Sequence, residues 1–177
     1  MTSNRLLQAI VFATCIGFSP VFAAAPAGLR NKTIHVSYTA TTPVKRPDGK
    51  ERSGSSTVLR TIYVSSLGRA FVKRALIGSA KSHQRSFRET APEDLSRSLR
   101  FEPSRLIMTV PAGANGAQQM IVNFDSSFQT CSVDVKTGSS GGARTWIGLN
   151  GQRYTATGPV LISNTRCSIE NGNEFVQ

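Results

Sequence analysis

Histidine, cysteine and acidic side chains are scarce in this chain, and their scarcity removes most kinds of site chemistry. Two histidines and three cysteines are present, and 10 Asp and Glu stand against 21 Lys and Arg, for a formal charge of +11. His35 and His83 have no carboxylate at motif spacing, and the cysteines form no Cys-x-x-Cys pair, which excludes the familiar zinc patterns. A G-x-S-x-G elbow is missing, as is the S-x-x-K signature with its companions. The glycine-rich run Gly138-Ser139-Ser140-Gly141-Gly142 is followed by no helix pattern and no Lys-Ser/Thr, so it reads as a flexible loop rather than a phosphate cradle. Glu89, Glu93, Asp94, Glu102, Asp125 and Asp134 could supply a glycosidase-type acid pair. The first four, however, fall in or beside a capped helix, and Asp125 follows a strand as a turn former. These absences predict no catalytic residue, no metal ligand and no cofactor.

Long apolar runs are also missing, with one exception at the start. Arg5 supplies a short positive region, Leu6 to Phe18 is mostly apolar, Pro20 breaks the run, and Val21-Phe22-Ala23 offers small residues to a signal peptidase. This order predicts a secretory signal peptide over residues 1–23. The run is shorter than the ~20 residues that span a bilayer, and the mature chain has no transmembrane segment by the same measure. Residues 24–177 then make one domain with a single core, exported to the periplasm or the medium. Cys15 leaves with the signal. Cys131 and Cys167 remain, separated by 35 residues, and in an oxidising compartment such a pair predicts a structural disulfide.

What the chain has in plenty is turn signals and short strand patterns. Asp48-Gly49, Asn115-Gly116, Asn150-Gly151 and Asn171-Gly172 suit tight hairpin turns. Strands are predicted at 33–38, 57–65, 70–73, 106–110, 120–124, 131–135, 145–149, 153–157 and 167–169, from period-two alternation and β-branched content. Residues 41–56, with two prolines and two glycines, read as an exposed loop. Residues 78–104 read as a basic loop carrying one short helix. The helix would start at the capping box Thr90-Ala91-Pro92-Glu93, present Leu95 and Leu99 on one face, and end at Pro103. The expected fold is therefore all-β, an antiparallel β-sandwich or partly open barrel with one short helix and one disulfide.

The positive charge is uneven. Residues 45–105 hold 14 Lys and Arg against 6 Asp and Glu, whereas residues 106–177 hold 4 of each. Arg85, Arg88, Arg97, Arg100 and Arg105 lie around Phe87 and Phe101, with Lys73, Arg74 and Lys81 just before. Arginine forks fit phosphate or carboxylate oxygens, so these five are the candidate binding residues. Their partners would be an anionic polysaccharide or lipopolysaccharide, and nucleic acid only outside the cell. Two other classes follow from the same residues. One is a protein-interaction module, an inhibitor or envelope assembly factor. The other is a hydrolase with a dispersed site, gathering His35 or His83 with a carboxylate.

Three stretches carry a family resemblance: Ile62-Tyr63-Val64-Ser65-Ser66-Leu67-Gly68-Arg69-Ala70-Phe71, Phe128-Gln129-Thr130-Cys131-Ser132-Val133, and Cys167-Ser168-Ile169-Glu170-Asn171-Gly172-Asn173-Glu174-Phe175. The chain resembles a family of small exported proteins of unknown function, found in several copies in Gram-negative soil bacteria. The resemblance implies an envelope or extracellular setting and transfers no activity, substrate or site residue.

Overall fold

Alternating apolar and polar residues build the strand on which the rest is assembled, β1 at Lys32–Lys45. Ile34, Val36, Tyr38 and Ala40 point to the core, while His35, Ser37 and Thr39 stand on the other face. This computed structural model describes residues 24–79, 85–110, 118–138, 144–147 and 151–175. The predicted signal peptide, Lys81, His83, the Asn115-Gly116 turn and most of the glycine-rich run lie outside the described residues.

β2, Glu51–Val64, pairs antiparallel with β1 along its whole length, from Lys32↔Val64 to Lys45↔Glu51. The loop expected over 41–56 is therefore only a turn at 46–50, where Gly49 takes φ 76° and Arg46 N–H donates to Lys50 O at 3.0 Å. The polar, proline-bearing composition reports an exposed hairpin. It does not report missing backbone partners, because Pro43 still offers its carbonyl to Thr157 N–H at 2.9 Å.

β3 (Ala70–Ser79) continues the sheet from β2, and β4 (Arg85–Glu89) and β5 (Glu93–Asp94) pair with β3. Four strands make a second sheet in chain order: β6 (Leu99–Glu102), β7 (Arg105–Val110), β8 (Gln118–Phe124) and β9 (Cys131–Thr137). The chain then returns to the first sheet through β10 (Thr145–Ile147), β11 (Arg153–Ala156) and β12 (Leu161–Asn171), with β11 and β12 both against β1. The larger sheet curls into a half-barrel. One core, including Leu29, Ile34, Ile62, Val72, Leu106, Met120 and Val122, fills the space between the two sheets. The all-β antiparallel expectation holds. So does the disulfide: Cys131 at the start of β9 is bonded to Cys167 on β12, which links the two sheets covalently.

The short helix does not form. Among the described residues the one helical element is a single 3-10 turn at Ala27–Leu29. Glu93 and Asp94 instead pair with Val72 and Phe71 on β3, and Leu95 N–H donates to Ala70 O at 2.9 Å. The stretch expected to be a basic loop thus contributes β4, β5 and β6. About two and a half turns of helix carry the full nucleation cost, whereas an open sheet edge offers backbone partners at once. The capping logic survives in reduced form, since Asp94 Oδ1 accepts from Ser96 N–H at 3.0 Å and closes a turn at 96–98.

Two such aspartate turns tie acid stability to the fold. The Ser96 hydroxyl and amide, then Arg69, hold Asp94 at about 2, against an ordinary 3.8. The Ser127 hydroxyl and the Thr130 and Gln129 amides hold Asp125 at about 2 in the turn that precedes Cys131. A depressed folded pKa contributes stability above the unfolded value, and that contribution is lost as pH falls through the folded one. The melting temperature should therefore drop between pH 4 and pH 2, and the D94N/D125N double variant should show a flatter drop. Parallel pH profiles for the two proteins, followed by circular dichroism, would refute this assignment.

Candidate functional site

The five arginines singled out from the sequence are spread over β4, the turn at 96–98, β6 and β7. Arg85 and Arg88 lie on β4 at the register positions of Ser79 and Leu76. Arg97 sits in the exposed turn at 96–98. Arg100 and Arg105 are brought together on the outer face of the β6–β7 hairpin, where they share the Glu102 carboxylate at 3.0 and 3.8 Å. Phe101, between them in sequence, is buried in the core.

Much of the surrounding charge is answered locally. Lys73 pairs with Glu89 at 2.9 Å, Arg74 with Glu93 at 3.2 Å, and Arg69 with Asp94. Exposed pairs of this kind add little stability, but they occupy the acidic residues. Glu89, Glu93, Asp94 and Glu102 each face a cation, Asp125 holds its turn, and Asp134 accepts from Asn123 Nδ2 at 3.1 Å.

Arg60 is a cation on the core face with no carboxylate partner among the described residues. β2 places Val58, Arg60, Ile62 and Val64 on the core face of the large sheet, and β3 places Ala70, Val72 and Arg74 beside them. Arg60 and Arg74 are direct register partners, and like charges directly opposite are unfavourable. Arg74 turns to Glu93, but no carboxylate pairs with Arg60 among the described residues. Its Nη1 donates to the Leu59 carbonyl at 3.3 Å, and its Nε is shut off from solvent with no acceptor. Burial pulls the guanidinium pKa down, Tyr38 partly offsets this, and Arg74 adds to it. Arginine keeps its proton regardless.

Tyr38 is not the missing counterion. Its hydroxyl donates to Gln118 Oε1 at 2.6 Å, and burial pushes the phenol pKa up, so it stays neutral. A half-buried guanidinium beside a second arginine, in a setting of lowered dielectric, is a strong electrostatic attractor for an oxyanion. The signal was visible in the sequence. Period two puts Arg60 on the face of Ile62 and Val64, where an apolar residue belongs.

One cluster had no sequence signal at all. His35 on β1, Glu170 on β12 and Glu174 beyond it bring their ligand atoms within 4.8 Å of one another. No helix among the described residues is long and apolar enough to cross a membrane. Compared with models of known protein families and with curated proteins, the chain matches none, so the family resemblance rests on the three sequence stretches alone.

Proposed function

We propose that this protein is an exported, non-catalytic binding domain for the anionic groups of an envelope or extracellular polymer, and that Arg60 and Arg74 receive such a group. The observation that carries this reading is the unanswered guanidinium of Arg60 on the core face of the sheet. A phosphate, sulfate or carboxylate against the guanidinium would offset its charge and screen it from Arg74. The excess of positive charge over residues 45–105 draws the polymer in, and the exposed Arg97, Arg100 and Arg105 act at that longer range.

The two contributions separate in a salt series on immobilised lipopolysaccharide, acidic polysaccharide and DNA. Wild-type protein should keep a preference for one polymer at physiological salt, where exposed charges are screened beyond about 8 Å. R60M should lose that preference. A variant with Arg85, Arg88, Arg97 and Arg100 reversed in charge should change mainly the steepness of the salt dependence. Retention of R60M equal to wild type, with the same preference, would sink the reading.

A further inference from the structure

The outer face of the large sheet carries a second arrangement, independent of the arginines. His35 stands on that face of β1 opposite Ser168 of β12, and Glu170 lies two residues further along β12. The chain then turns at Gly172, which takes φ 98° and donates its N–H to Asn31 O at 2.7 Å. Thr33 Oγ1 donates to Gly172 O at 2.7 Å. These bonds fold residues 172–175 back over the sheet. Phe175 meets the Tyr63 ring edge-on at a centroid distance of 6.3 Å, and Glu174 Oε2 stops 2.9 Å from His35 Nε2.

A clamp on the C-terminal turn accounts for the His35–Glu174 contact but not for Glu170. The Gly172 bonds and the Phe175 ring already hold the turn. Glu170 is fully exposed and has no cation of its own beyond the shared imidazole, yet its carboxyl group sits against that of Glu174. Glu170 feels the negative charge of Glu174, and both carboxyl groups face the same imidazole. His35 Nε2 is closed to solvent, and the polar atom against it among the described residues is the Glu174 oxygen. An imidazole nitrogen and two carboxylates thus gather within 4.8 Å of one another.

We propose that His35, Glu170 and Glu174 bind one divalent first-row transition-metal ion. One imidazole nitrogen with carboxylate oxygens is a donor set that suits Zn²⁺ and its neighbours, whereas Ca²⁺ and Mg²⁺ take oxygen alone. Ligand atoms at about 2.0–2.2 Å from one tetrahedral ion lie about 3.3–3.6 Å apart, so a small outward movement from the 2.9 Å contact admits the ion. A side-chain rotation of Glu170 brings in the third. A divalent ion between them relieves the repulsion between the carboxylates. Three protein ligands leave further coordination positions to water.

The test is calorimetric titration of tag-free, oxidised protein with Zn²⁺. Wild type should bind one ion per chain. H35A and E170Q should each weaken binding by more than about tenfold, the loss that even an outer partner costs a metal site, and H83A should bind as wild type does. Glu170 is exposed, so E170Q keeps its fold and decides the matter if H35A does not. A change of the His35 Nε2 nitrogen resonance on adding Zn²⁺ would support the site directly. Absence of stoichiometric binding, binding equal in E170Q and wild type, or loss of binding in H83A would overturn it.

Discussion

R60M should melt higher than the wild-type protein while losing its anion. Most substitutions on a core face destabilise, so the sign of this effect is diagnostic. The wild-type side chain holds a half-buried positive charge with its Nε unsatisfied and Arg74 directly across the strand pair. Replacing desolvated ions with apolar residues of similar volume often stabilises, by about 1–4 kcal/mol. Methionine keeps the length of the stem and fits beside Val58 and Ile62. An increase of about 1–2 kcal/mol corresponds to a rise of roughly 2–8 °C for a domain of this size.

The anion supplies the complementary measurement. Sulfate or phosphate should raise the melting temperature of wild type by mass action on the folded state, and should have a smaller effect on R60M. A melting temperature of R60M at or below that of wild type, with equal sulfate responses, would mean that Arg60 is a structural residue. It would also remove the basis of the binding reading. The outcome therefore separates a residue kept for function from one kept for the fold.

Removing the disulfide should have the largest effect of all. Cys131 and Cys167 are 36 positions apart in sequence, and the chain-entropy model values the closure of such a loop at about 4 kcal/mol. That corresponds to a fall of roughly 8–16 °C in melting temperature. The location adds to the expectation, because the bond joins the edge strand of the smaller sheet to the strand beside β1 in the larger one. Without it the sheets are held together by the apolar core and by buried bonds such as Tyr38 to Gln118. The C131A/C167A variant is the cleaner test, since alanine leaves no hydroxyl at these partly buried positions. A fall of less than a few degrees would show that the core alone sets how the two sheets stand.

Strand positions were readable because their determinants are local. The alternation in Thr33–Tyr38, the β-branched run of β2 and the hairpin at Gly151 each depend on a few neighbouring residues, and each appears where it was expected. The 41–56 segment and the helix at Thr90 were misread for one reason. Composition and capping boxes report what a segment tolerates by itself, and both segments found backbone partners on strands already in place. The Asn171-Gly172 turn was read as a hairpin, but it carries the tail across the outer face instead.

The sequence by itself determined the periodicities, the turns at Gly49 and Gly151, the pairing of Cys131 with Cys167 and the sign of the charge, because these follow from residue type and short-range order. Only the tertiary structure decided which charges meet. Strand register set Arg60 against Arg74. It also set β12 beside β1, and with the C-terminal turn it brought Glu170 and Glu174 to His35. Register is the outcome of packing a whole sheet against its core, and no stretch of a few residues contains it.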